Sequence, residues 1–326
     1  MAVASQGEVR ATIYGARGSL PNPAVSTERY GGATTCLGVE TPEGIPIILD
    51  GGSGIFDLGL QLEAGSARRE LHMFFTHTHW DHVQGLPFFA PFYDPAWQVH
   101  IYSLGERRAT VREIFQGVYA ERFFPVPFEQ LDAHIEFCEL PFDDTVQVGS
   151  TRIACCRVNH PGYALGFRVD HGDRSLFFAA DAAPFTDMLF ADKFHVRERE
   201  RDPEILEQMR ALEQRVEAVV SGTDLLFHDA NYTDDEYERL FHYGHASIRQ
   251  ACDLATRCAV ERLVLWHHDR RRTDDEIDAI CAGPIARAQA EGLIVEPACQ
   301  GTTYHLPLGS RAITKSDTSP TNRTPE

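Results

Sequence analysis

The sequence predicts an α/β fold in which β-sheets pack together and are covered by helices. Three observations predict it. Strand-like runs dominate the first half of the chain, and helical patterns alternate with strands in the second. Several strand-like runs also end on a histidine or an aspartate, which is how a layered α/β fold gathers side chains into one site.

Taken in order, residues 9–15 (VRATIYG) and 36–50 (CLGVETPEGIPIILD) read as strands broken by Gly and Pro turns. The stretches GARGSLPNP and RYGGATT between them are rich in turn formers. Further strands are expected at 71–76, 98–103, 151–158, 164–169, 175–180, 224–228, 262–266 and 293–297. Helical patterns fit 106–117, 203–220, 246–258 and 274–291, with Thr273 as N-cap of the last before an acidic first turn. Helix followed by FFPVPFEQL across 105–135 reads as an insertion that lies as a lid over a small pocket. The charged run 193–218 reads as a solvated helix. The expected organisation is one domain over 1–308. The tail 309–326 is nearly free of large apolar residues and is expected to be disordered.

The totals narrow the function. The chain has 326 residues, 43% hydrophobic and 24% charged, the balance of a folded, water-soluble protein. No window approaches the roughly 18 apolar residues that span a membrane, and the N-terminus lacks the basic and apolar blocks of a secretory signal. Eight cysteines without CxxC spacing read as reduced thiols of a cytoplasmic protein, with the adjacent pair Cys155 and Cys156 as small core side chains. A formal net charge of −18 argues against nucleic acid and anionic membranes as partners. An anionic small-molecule substrate stays open, because bound cations reverse the local potential in a cleft. Oligomeric state stays open too, a homodimer being the commonest arrangement.

One short stretch carries most of the chemistry. Residues 74–85, FFTHTHWDHVQG, place His77, His79, Asp81 and His82 within six positions directly after two phenylalanines. Imidazole and carboxylate together suit Zn²⁺, Mn²⁺ or Fe²⁺. In an extended segment His77 and His79 project to the same side, and a turn then lets Asp81 and His82 face a second ion. Three further candidates end strand-like runs: His160 before a Pro-Gly turn, Asp181 at the end of SLFFAAD, and His267 at the end of RLVLWH. His268 is the alternative to His267. Glycines 51, 52 and 54 read as a tight turn with Asp50 supporting a ligand, and Trp80 and Phe88 as packing groups. Arg270, Arg271 and Arg272 read as a solvated loop.

With these residues in place the chain resembles the metallo-β-lactamase superfamily from about Tyr14 to about Asp275. The HxHxDH motif stands as His77-Thr78-His79-Trp80-Asp81-His82. Stretches such as RYGGATTCLGVE, ILDGGSGI, FHDANYTDDEY, GHAS and LWHHD resemble the branch holding ribonuclease Z and PhnP-type phosphodiesterases. The resemblance implies a four-layer αββα sandwich with two divalent ions, Zn²⁺ first and Mn²⁺ or Fe²⁺ as alternatives. One ion would be held by His77, His79 and His160, the other by Asp81, His82 and His267, with Asp181 bridging. It further implies that His245, in YGHAS, contacts phosphate or protonates the leaving oxygen, that Asp229 orients it, and that Asp81 shuttles a proton. The sequence departs from the branch in having HAS and HDAN where His-Ser-Thr and an acidic tetrapeptide are usual. His228 is expected to buttress the site.

Two adjacent divalent ions suit hydrolysis by a bridging hydroxide. The expected activity is therefore a two-metal phosphodiesterase acting on a small or cyclic phosphodiester. A carbonyl hydrolase (lactone, thioester or β-lactam) is the alternative, since it would not need His245. RNA 3′ processing ranks lower, for want of a basic arm and because of the net charge. A non-catalytic metal module ranks lowest, because a structural zinc needs only four ligands.

Overall fold

The computed structural model describes residues 7–66, 68–105, 109–185, 188–191, 194–197 and 203–317. The first half runs β1 (Glu8–Gly15), β2 (Cys36–Glu40), β3 (Ile47–Leu49), α1 (Ile55–Gly65), β4 (Glu70–Phe74), α2 (Trp80–Val83), β5 (Gln98–Ser103), α3 (Val111–Val118) and β6 (His134–Glu139). Then come β7 (Thr145–Val148), β8 (Thr151–Val158), β9 (Ala164–His171), β10 (Arg174–Ala179) and a separate hairpin of β11 (Met188–Ala191) and β12 (Phe194–Arg197). The rest is α4 (Pro203–Val220), β13 (Leu225–Asp229), α5 (Asp234–Leu240), α6 (Ile248–Arg257), β14 (Arg262–Trp266), α7 (Asp274–Ala290), β15 (Ile294–Pro297), β16 (Thr302–Pro307) and β17 (Thr314–Asp317).

Side-chain alternation along the strands explains why two sheets stack and why helices cover both. In β13 and β14, Leu225, Phe227, Val264 and Trp266 face an inner layer, while Leu226, Leu263 and Leu265 face outward. Strands apolar on both faces must be covered on both faces. The inner layer meets Leu37, Val39, Leu49 and Phe74 of the first sheet. Outside, α4, α6 and α7 cover the second sheet through Val216, Leu254 and Ile277, and α1 and α3 cover the first through Leu58, Leu62 and Phe115. Each fully buried side chain of this size contributes about 1.5–3 kcal/mol. The result is the four-layer αββα sandwich.

The sheet orders are β17-β16-β1-β2-β3-β4-β5-β6 and β15-β14-β13-β10-β9-β8-β7. β3 to β6 run parallel, as do β10, β13, β14 and β15. Parallel strands present their carboxyl ends on one side, where open α/β sheets bind ligands.

Thr273 does cap α7, its side chain accepting from Glu276 N in a capping box. Other expectations change. The helix expected at 106–117 starts at Val111, where Thr110 and Glu113 form the capping box. The DGGSG stretch leads straight into α1, whose exposed Phe56 and Leu60 blur its apolar period. Within the charged run, residues 194–197 pair with β11 as a strand, and the described helix is Pro203–Val220, the span expected for it. The tail is not disordered up to Asp317: β17 pairs antiparallel with β16 from Thr302↔Asp317 to His305↔Thr314. Edge pairing uses backbone groups, so a segment without apolar side chains can join a sheet; residues 318–326 lie outside the described set.

Candidate metal centre

The motif loop leaves β4 and is held by a buried carboxylate. Asp50, just past β3 and at φ 61°, accepts from Thr76 N and Thr76 Oγ1, both at 2.8 Å, and lies 2.8 Å from His82 Nδ1. With Nδ1–H given to Asp50, His82 Nε2 is left to point at Asp181. Gly52 lets the motif chain come this close, since a Cβ there would lie 2.3 Å from the Asp81 carbonyl oxygen. Those glycines therefore serve close backbone approach as well as a turn.

His160 follows β8 and donates Nδ1–H to Gly244 O at 2.9 Å, which frees its Nε2. Asp181 follows β10. His267 follows β14 with φ 58°, a left-handed turn that aims its ring at the carboxylates. Its Nε2 lies 3.3 Å from Asp181 Oδ2 and 3.4 Å from Asp81 Oδ2. His268 turns the other way and bonds the Ala298 carbonyl through Nε2 at 2.9 Å, so His267 faces the cluster. The Asn231 amide sits 2.8 Å from His267 Nδ1, and Ser19 N donates to Asp81 Oδ2 at 2.7 Å.

The donor atoms of His77, His79, His160 and Asp181 lie within 4.8 Å of one another, as do those of Asp81, His82, Asp181 and His267. All seven ligand candidates are thus brought together, with Asp181 in both groups. The chemistry of the set fits divalent cations. His77 Nε2, His82 Nε2, His267 Nε2 and Asp181 Oδ1 are buried with no hydrogen-bond partner, and His160 Nε2 faces His79 Nδ1 at 3.2 Å. Buried polar atoms are seldom left without a partner, and a bound ion or water completes them. Burial, with neighbouring imidazoles, pushes His77 down and His160 to about 3, leaving both neutral at pH 7 as ligands must be. Burial also opposes charge on His82 and His267, but Asp181 heads the groups that outweigh it and raise them. Burial likewise opposes ionisation of Asp181, and His267 and His82 override it to hold the carboxylate charged.

Asp229, at the end of β13, is buried and accepts from His245 Nδ1 at 2.7 Å, Asn231 N at 3.0 Å and Ala182 N at 3.1 Å. The His245 ring stacks on His267 at 4.4 Å between centroids. His228 points elsewhere, onto the Asp229 carbonyl at 2.8 Å. The cleft above the cluster holds about 410 Å³ and is lined by Ser19, His79, His160, Tyr232, Tyr243, His245, Arg270 and Arg271 among others.

Several expectations around the cleft need correction. No described residue of 105–135 lines it; that segment packs Phe115, Tyr119, Phe124 and Phe128 against the first sheet and, with Thr78, Trp80 and Val83, borders a smaller cavity of about 200 Å³. Trp80 and Phe88 are not packed away but 52% and 58% exposed. The arginine loop is not simply solvated: Arg271 pairs with Asp269 at 2.6 Å and Arg272 with Glu236. The sequence reading gave no role to Thr76, Asn231, Ser19 or Gly18. Asn231, in HDAN just after Asp229, was the most findable of these. A Cβ on residue 18 would lie 2.1 Å from His267 Cε1 and 2.3 Å from Nδ1. Gly18→Ala is therefore expected to displace that imidazole and weaken metal binding about 10–100-fold, read by equilibrium dialysis; unchanged affinity would show that His267 is not a ligand.

Comparison with known proteins agrees with this geometry. The beta-lactamase superfamily domain matches residues 58–196, which include six of the seven ligand candidates. A ribonuclease Z of Myxococcus xanthus is 27% identical over 262 residues, covering 72% of this chain and 81% of that protein. The short form of human tRNase Z superposes with a TM-score of 0.59 at 17% identity, over 91% of this chain and 99% of that one. A diphosphatase from the PhnP family does so with a TM-score of 0.58 at 14% identity, over 92% and 99%. Residues 58–196 thus match the beta-lactamase superfamily domain, the chain as a whole has the metallo-β-lactamase fold, and its sequence is similar to ribonuclease Z.

Proposed function

We propose that the chain is a phosphodiesterase whose seven clustered ligands hold two divalent ions, Zn²⁺ first and Mn²⁺ or Fe²⁺ as alternatives. The observation that carries the reading is the His245–Asp229 pair beside the ligand cluster, at 2.7 Å. Bound there, divalent ions activate water and stabilise the charge that builds on the substrate. The protein's own groups do the rest. Asp229 binds His245 Nδ1–H and leaves Nε2 as the nitrogen free for substrate. A protonated His245 can give that second proton to the departing oxygen, and Asp229 stabilises the resulting cation–carboxylate pair. Asp81, hydrogen-bonded by Ser19 N, is placed to take a proton from the attacking water. Arg270 at the cleft wall offsets the overall negative charge where an anion enters, while Arg271 is paired with Asp269. Eight unpaired cysteines support a reducing, cytoplasmic setting.

The substrate we favour is a small or cyclic phosphodiester, which a cleft of about 410 Å³ accommodates. A second reading, RNA 3′-end processing, is favoured by the relatives named ribonuclease Z. The net charge is not enough to set nucleic acid aside against that likeness. Assaying bis(p-nitrophenyl) phosphate, a 2′,3′-cyclic nucleotide, a tRNA precursor with a 3′ trailer and a lactone separates these readings. Turnover of the first two is expected. Cleavage of the precursor with little small-substrate turnover would move the activity to RNA, and turnover of the lactone alone would overturn the phosphodiesterase reading.

A further inference from the structure

A second group of ligand-type side chains stands at the other end of the first sheet, away from the centre described above. β4, β5 and β6 are adjacent and parallel, and their register aligns His72 with His100 and His100 with Glu136. Glu70 precedes His72 by two residues and so shares its face. His77 lies past the opposite end of β4, five residues or about 16 Å along the chain from His72.

β4 and β5 direct polar atoms to one point, and β6 supports them from the side. Glu70 Oε1 lies 3.4 Å from His72 Nε2 and 3.8 Å from His100 Nε2. The other ring nitrogens are taken: His72 Nδ1 meets the Tyr102 hydroxyl at 3.2 Å, and His100 Nδ1 meets Glu136 Oε2 at 3.0 Å. Each imidazole therefore uses Nδ1 on a supporting partner and offers Nε2 to the shared carboxylate, the arrangement in which histidines bind metals. His100 Nε2 is buried and has no hydrogen-bond partner. The Glu70 and Glu136 side chains are 40% and 56% exposed, so the group opens to solvent. The ligand atoms of Glu70, His72 and His100 all fall within 4.8 Å of one another.

We propose that Glu70, His72 and His100 form a separate site for one divalent transition-metal ion, with Glu136 and Tyr102 orienting the two imidazoles. Two nitrogens and one carboxylate oxygen select a borderline ion such as Zn²⁺ over Mg²⁺ or Ca²⁺. The rings now stack in parallel, 4.5 Å apart at 9°. An ion bound by both Nε2 atoms must lie near both ring planes, so binding tilts the rings out of that stack. Nothing in this proposal depends on the reaction assigned to the main centre.

The test counts Zn²⁺ per chain by equilibrium dialysis of the full-length protein, wild type against Glu70→Gln and His100→Ala, with Co²⁺ absorption as a second readout. Wild type is expected to bind one ion more than either variant, with affinity for that ion about tenfold or more weaker in Glu70→Gln. Hydrolysis should be unchanged in both variants. The Co²⁺ difference spectrum between wild type and Glu70→Gln should carry the bands of a nitrogen–oxygen site. Glu70 is surface-exposed and Gln keeps its shape, so a folding failure in His100→Ala leaves the Glu70→Gln comparison decisive. Equal stoichiometry and superimposable Co²⁺ spectra in wild type and Glu70→Gln would overturn the proposal.

Discussion

Asp181→Asn is expected to abolish hydrolysis and to cut bound metal from two ions per chain to one or none. Among the described residues no other side chain reaches so many of the ligand candidates. Its Oδ1 lies 3.1 Å from His82 Nε2, and its Oδ2 lies 3.3, 3.7 and 3.9 Å from the Nε2 atoms of His267, His160 and His77. Burial alone would favour the neutral acid; the His267 and His82 imidazoles reverse that and hold the group well below the usual carboxylate range. Asparagine has nearly the same shape but removes the charge and can turn an N–H towards where a cation would sit. Loss of one preorganised electrostatic contact costs about 10²–10³ in rate, and loss of an ion removes water activation as well. Turnover should therefore fall by at least about a thousandfold. Metal analysis alongside the assay checks the cause: a variant that keeps two ions and wild-type turnover would rule out the bridging role.

His245→Ala should behave differently, with turnover of phosphodiesters down by about 10²–10⁴-fold and both ions retained. His245 stands outside the two four-residue ligand groups that share Asp181, and its Nδ1 is committed to Asp229 at 2.7 Å. Asp229→Asn keeps an acceptor near Nδ1 but removes the charge that stabilises a protonated ring, so a smaller loss is expected. Measuring phosphodiester and lactone turnover with metal content for each variant separates the readings. A His245→Ala enzyme with unchanged phosphodiester turnover would remove the leaving-group role and favour the carbonyl alternative.

What could be read before the fold was known followed from local rules. The ligand types, their crowding in His77-Thr78-His79-Trp80-Asp81-His82, and their position after an apolar strand are properties of a few consecutive residues. Strand alternation is equally local, and β5, β8 and β14 begin and end where the sequence places them. Readings that needed neighbours distant in sequence were the ones that failed or stayed open. The tail carries no sign of order in its own side chains, because β17 gains its order from the backbone of β16. The aromatics of the 105–135 insertion give no sign of which surface they pack on, so its place beside the motif loop needed the fold.

By itself the sequence determined the ligand types, their crowding and the layered α/β pattern, because those rest on residue types and short-range periodicity. Only the tertiary structure turned His267 rather than His268 towards the cluster, since that depends on one backbone dihedral and on the direction in which each ring leaves β14. Only it joined His245 to Asp229 and Glu70 to His100, because those meetings depend on strand order and register, which no short window of sequence encodes.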